Sequence, residues 1–177
     1  MSIFRKLLIF GAALVILLFL AGIIMPKSIE IERSASIDAP VDSVYKQVSI
    51  LRNMAQWTPW KDYDPDMLVT FEGEDGQVGS VYKWNGNSNV GSGNMEITSV
   101  DKNKIVEIKL SYIEPYESSS KIYFLFNGDS LKTNVTWGYF EKVMIPKNVI
   151  TSIFGVKKML SKEFDKGLIN LTRKCEN

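Results

Sequence analysis

Acid–base chemistry needs a titratable group held inside a site. The chain has no histidine, which removes His-based triads, a His general base and His-ligated zinc. Its single cysteine, Cys175, can form neither an intrachain disulfide nor a Cys cluster for a metal. Carboxylates and one guanidinium remain. Strand parity carries Glu114 onto the face of Leu110 and Tyr112, Glu141 onto that of Trp137 and Tyr139, and Arg33 onto that of Ile31 and Ala35. These are the polar side chains that parity directs inward, and they are the candidate catalytic residues. Each lies near a strand end, where a solvated rim is the simpler expectation. Pro115 can also shift the register at Glu114. Glu96 and Glu107 alternate opposite the apolar positions and are expected to face solvent.

Residues 54–66 read MAQWTPWKDYDPD. Trp57 and Trp60 flank Thr58-Pro59, and two roles suit them: an aromatic lid at the mouth of a cavity, or a plug packing short helices onto a sheet. The acidic run Asp62, Asp64, Asp66 has the first spacings of a calcium loop. Such a loop needs glycine at its sixth position and glutamate at its twelfth, and those positions hold Met67 and Gly73. A solvated turn is expected there and no metal. The glycine-rich stretches EDGQVGS and GNSNVGSG lack the Gly-Lys-Ser/Thr ending of a phosphate loop and read as hairpin turns.

Aromatic side chains make the larger candidate set. Tyr82 and Trp84 share one strand face, as do Met95 and Ile97; Ile108, Leu110 and Tyr112 share another, with Phe124 and Phe126, then Val135, Trp137 and Tyr139. Tyrosine and tryptophan carry polar tips that want partners. Many such tips aimed at one interior predict a space lined by Tyr82, Trp84, Met95, Tyr112, Phe124, Trp137 and Tyr139, with Trp57, Trp60 and Phe154 joining from the helical segments. These are the candidate ligand-binding residues.

The elements that must position them follow from hydrophobic period. Residues 29–37 alternate apolar and polar as a half-buried strand. Asp38-Ala39-Pro40 ends it and opens a helix through Val41, Val44, Tyr45 and Val48. A second short helix through Leu51, Met54 and Ala55 stops before Pro59. From 67 to 141, strand segments alternate with turn clusters such as NGNSN, DKNK and NGDS, predicting a meander of about six antiparallel strands. From Asn148, the residues Ile150, Ile153, Phe154, Val156, Leu160, Phe164, Leu168 and Leu171 recur every three or four positions and predict one long amphipathic helix. Gly155 and Gly167 weaken it locally, and glycine there allows close approach to the sheet. The predicted class is α+β, a curved sheet of six or seven strands around a long C-terminal helix.

A different segment precedes this domain. Residues 7–25, LLIFGAALVILLFLAGIIM, carry no charge, and nineteen helical residues rise about 28 Å, close to the hydrocarbon thickness of a bilayer. The stretch is longer than the apolar region of a signal peptide, and no A-x-A site ends it. An uncleaved single-pass anchor over residues 1–27 is expected, followed by one domain over 28–177. Arg5 and Lys6 before the span, against Lys27 close after it, predict a cytoplasmic N-terminus and a domain outside the cytoplasm.

Net charge over 177 residues is +1, which gives no footprint for nucleic acid. The charge is uneven. Residues 28–146 hold 11 basic and 17 acidic side chains, net −6, and residues 147–177 hold 7 basic and 3 acidic, net +4. Lys157, Lys158, Lys162 and Lys166 read as the solvated face of the last helix or as a face resting on anionic lipid.

The stretches SASIDAPVDSVY at 34–45, WTPWKDYDPDM at 57–67, FEGEDGQVGSVYKWNGNSNVGSGNMEI at 71–97 and YIEPYES at 112–118 resemble the START-like, or SRPBCC, superfamily with its helix-grip fold. The likeness is greatest to its membrane-anchored bacterial branch labelled polyketide cyclase/dehydrase-like, and it covers residues 29–175. The resemblance implies a hydrophobic cavity between sheet and long helix. It implies binding of lipids, sterols, quinones or polyketides, with cyclisation in some members, and it carries over no catalytic set. The expected function is binding of a small apolar or amphipathic ligand near a membrane, without a cofactor. The alternatives are a polyketide-cyclase-type enzyme and a ligand-free interaction module of the cell envelope. The sequence names no protein partner.

Overall fold

The computed structural model describes residues 2–177. Helix α1 (Ile3–Ile24) leads to strand β1 (Ser28–Ile37), helices α2 (Val41–Ser49) and α3 (Leu51–Trp57), and a 3-10 turn at Pro59–Asp62. Six strands follow: β2 (Leu68–Glu72), β3 (Val81–Asn85), β4 (Ser92–Asp101), β5 (Ile105–Glu114), β6 (Ser118–Gly128) and β7 (Thr133–Lys142). Helices α4 (Lys147–Ile153) and α5 (Val156–Glu176) close the chain.

The seven strands form one sheet in the order β1-β7-β6-β5-β4-β3-β2, antiparallel throughout. Strands β2 to β7 are the predicted meander. The first strand closes onto the last with Ser28 opposite Lys142 and Ile37 opposite Thr133. Because β1 and β2 are the two edges, α2 and α3 must cross from one side of the sheet to the other. They do so with Val44, Tyr45, Val48, Leu51, Met54 and Trp57 buried. Two register shifts between β4 and β5, which leave Ile113 of β5 and Thr98 of β4 unpaired, bend the sheet, as bulges do. Its concave face grips α5, which buries Ser161, Phe164, Gly167, Leu168 and Leu171. This is the helix-grip fold.

The strand faces follow parity. Trp137 stacks on Phe164 of α5 with ring centres 4.1 Å apart and on Phe124 at 5.1 Å. A Cβ at Gly167 would stand 2.6 Å from Trp137 Cζ3, so only glycine lets α5 settle onto this stack.

The C-terminal stripe differs from expectation. It is two helices, because Gly155 takes the left-handed conformation (φ 62°) between Ile153 and Val156. Nothing crowds Gly155, so its glycine serves the turn and not a close approach. Helix α4 buries Asn148, Val149 and Thr151, and Ile150, Ile153 and the capping Phe154 point to solvent, being 52%, 66% and 78% exposed.

Helix α1 is long and apolar enough to cross a membrane, and only its end touches the domain. It is consistent with a membrane anchor or a signal sequence.

Candidate functional site

Between the concave sheet and α5 lies a cavity of about 300 Å³, at the lower end of the range for small-molecule sites. Its wall is largely aromatic and aliphatic. Strands β3 to β7 contribute Tyr82, Trp84, Met95, Leu110, Tyr112, Phe124, Trp137 and Tyr139. Helix α5 covers it with Val156, Met159, Leu160 and Phe164, and Met54, Thr58 and Trp60 close the side toward α3. The sheet's bend makes the space: a flat sheet would let α5 fill it.

One end is polar. Glu141, the penultimate residue of β7 and only 7% exposed, lines the cavity. Its Oε2 accepts a hydrogen bond from the Tyr139 hydroxyl at 2.9 Å, and its Oε1 one from Lys147 Nζ at 2.6 Å. Lys147 begins α4, so the short turn after β7 brings the ammonium back over the strand's end. The Tyr116 ring lies 5.1 Å from the same ammonium, a cation–π distance that closes the rim with the β5–β6 turn. The phenols of the wall are held neutral. Burial pushes Tyr82 up to about 12. It also raises Tyr112 and Tyr139, with the Glu141 charge adding to both. They are hydrogen-bond donors across the ordinary pH range.

Of the sequence candidates, Trp60, Tyr82, Trp84, Met95, Tyr112, Phe124, Trp137, Tyr139 and Glu141 line the cavity. The two tryptophans separate. Trp57 is a plug: its indole N–H donates to Gln47 O at 2.9 Å, and its ring packs edge-on to Phe124 and Trp137. Trp60, in the 3-10 turn that Pro59 starts, forms part of the wall. Phe154, which caps α4 just before the left-handed Gly155, is exposed and does not line the cavity. Arg33 keeps its predicted parity, but on the edge strand it reaches past the sheet to Asp165 of α5 at 3.0 Å. Glu114 is exposed at the strand end, just past Ile113, the extra residue in β5 that breaks the alternation. Two carboxylates of the acidic run have structural partners. Asp64 accepts a hydrogen bond from the Asn87 backbone N–H at 2.7 Å, and Asp62 pairs with Lys166 at 2.8 Å.

Sequence reasoning missed Lys147, Tyr116, Thr151 and Met159 as lining residues. Only Pro146 hinted that α4 starts at Lys147 and so carries an ammonium to the end of β7.

Residues 28–176 match the family model described as polyketide cyclase / dehydrase and lipid transport. The chain belongs to this family. Among solved structures, the polyketide cyclase/dehydrase and lipid transport fold recurs in the di-domain ARO/CYC StfQ from the steffimycin biosynthetic pathway (TM-score 0.61, 10% identity, 84% of this chain and 51% of that one). It recurs in DynU16, a putative protein in the dynemicin biosynthetic locus (0.57, 15%, 82% and 46%), and in major latex-like protein 151 from Panax ginseng (0.57, 15%, 86% and 100%). The chain spans about half the length of the first two. At these identities the likeness is one of fold. No curated protein matches the sequence. The family match and the fold support a ligand-binding or cyclase-like domain.

Proposed function

We propose that this protein is a membrane-anchored binder of one small amphipathic molecule. The observation that carries the reading is the cavity of about 300 Å³ with a largely apolar wall and a hydrogen-bonded Tyr139–Glu141–Lys147 group in its lining. Apolar surface leaving water stabilises the bound state by roughly 25 cal/mol per Å², so the wall supplies affinity. The polar end supplies orientation. Glu141 and Lys147 form an ion pair at 2.6 Å, so each charge is already partnered within the protein and the pair calls for no countercharge from a ligand. The carboxylate still accepts and the ammonium still donates. That pairing suits an uncharged hydroxyl or carbonyl on an apolar body, as in a sterol-, quinone- or polyketide-like molecule. Helix α1 is the uncleaved anchor, the domain over 28–177 is the binding unit, and the Arg5 and Lys6 flank leaves that domain outside the cytoplasm.

The test is extraction of small molecules from the full chain purified in lipid nanodiscs, followed by mass spectrometry. One apolar species bearing a hydroxyl or carbonyl should accompany the wild type. It should be lost from the M95F/L110F variant, whose added rings occupy the cavity. Recovery of the same lipid mixture from both proteins would end the reading.

A second reading rests on Glu141. A buried carboxylate hydrogen-bonded to a tyrosine within a cavity can move a proton in a cyclisation or dehydration. Extraction separates the two. A binder with Glu141→Gln holds less of the same molecule, whereas an enzyme with Glu141→Gln holds a different, unconverted one.

A further inference from the structure

The end of α1 is bolted to the domain. Asn148, wholly buried, donates from Nδ2 to Gly22 O at 2.7 Å and meets Met25 O at 3.4 Å. Carbonyls at the end of a helix lack intrahelical donors, and Asn148 supplies one from α4. Gly22 is the buried residue of α1, and a Cβ there would lie 2.8 Å from the Ile145 side chain. The Val143 N–H then donates to Lys27 O at 2.9 Å. Two backbone–side-chain contacts and one ladder bond on either side of Met25–Pro26 fix the direction in which the domain stands on α1.

That direction sets α4 beside the helix end, and α4 has two unlike faces. Asn148, Val149 and Thr151 are buried; Ile150, Ile153 and Phe154 are exposed. Met144 before α4 and Met159 on the first turns of α5 are exposed as well. Burying such side chains is favourable, so a cluster left in water next to an apolar span lacks its partner. Lys157, Lys158 and Lys162 follow on α5, exposed, with no ion pair among the described residues. Apolar side chains flanked by lysines are the composition of an interfacial segment.

We infer that the α4–α5 elbow, with Phe154 at its tip, is seated in the head-group and upper acyl region of the same bilayer that α1 crosses. The inference rests on the reading of α1 as an uncleaved anchor. Thr151, Val156 and Met159 of the elbow line the cavity from its other side, so the seated segment is also a wall of the binding site.

The test uses the full chain with Cys175→Ser and one new thiol carrying an environment-sensitive fluorophore, at Phe154→Cys or at Leu131→Cys. Leu131 is exposed in the β6–β7 turn, beyond the far end of β1, about 33 Å of strand away from α1. The chain is reconstituted in vesicles of phosphatidylcholine and phosphatidylglycerol, with or without spin-labelled lipid. Flotation with the vesicles is scored first. A label at 154 that shifts to the blue and is quenched several-fold more strongly than one at 131 supports the inference. Equal, water-like emission at both sites in a floating chain overturns it and leaves the anchor reading standing. A chain that does not float overturns both.

Discussion

Glu141 Oε1 and Lys147 Nζ stand 2.6 Å apart at the polar end of the cavity. One residue is the penultimate of β7 and the other begins α4, so the pair joins the sheet to the helix that leads into α5. Lys147 is partly exposed, and the attraction is correspondingly screened. The carboxylate is the deeper partner, and the cost of losing the pair falls on it.

Removing the ammonium alone should therefore hurt more than removing both charges. Lys147→Met leaves a buried carboxylate with only Tyr139 as donor and should destabilise the chain by about 1–3 kcal/mol. Adding Glu141→Gln should recover part of that loss, giving a coupling of about 1 kcal/mol in a double-mutant cycle. Urea unfolding of the full chain in micelles measures both. A Lys147→Met protein as stable as the wild type would show that the pair carries no structural weight.

The two glycines of the C-terminal segment should respond to opposite remedies. Gly167→Ala drives a methyl into the clamped Trp137 ring and should cost about 1–3 kcal/mol by overpacking; asparagine there should be no better. Gly155→Ala meets no neighbour but must hold φ 62°, costing about 1–2 kcal/mol. Gly155→Asn should cost less, because asparagine tolerates the left-handed region. Thermal unfolding of the four variants decides it, and rescue by asparagine at 167 would refute the packing argument.

These glycines also mark how far the sequence could be read. Period-two alternation identified the strands and the inward aromatics, since parity is local and survives any sheet curvature. Helical period identified α5 but carried the stripe through Gly155, because a left-handed residue leaves spacing in the sequence unchanged while turning the axis. Parity sent Arg33 to the correct face but cannot say that β1 is an edge strand, from which a long side chain escapes to Asp165. Glu114 failed for another reason: Ile113 of β5 is an extra residue at the Ser92/Gly93 step, and period-two alternation within β5 does not mark it as unpaired. Glu141 was legible because β7 is regular to its end. Its partner Lys147 was not, since their meeting depends on a turn whose shape is tertiary.

The buried phenols give a pH dependence. Tyr82 has its folded value raised from 10.0 to about 12, chiefly by burial. Folding thus favours the neutral phenol. That contribution is complete below pH about 10 and is lost as pH rises through about 12. Tyr82→Phe cannot ionise and should lose less stability over that window than the wild type. Denaturant midpoints followed across the window test this, and parallel curves for the two proteins would contradict it.

The claim that the cavity holds a ligand is tested most directly by tryptophan quenching. Trp60, Trp84 and Trp137 line the cavity, so a brominated fatty alcohol bound there would quench them from within. Titrated into the full chain in nanodiscs, the alcohol should quench saturably at one molecule per chain, and the M95F/L110F variant should abolish the saturable part. Quenching that rises in proportion to added alcohol, without saturation and equally in both proteins, would mean that nothing enters the space beneath α5.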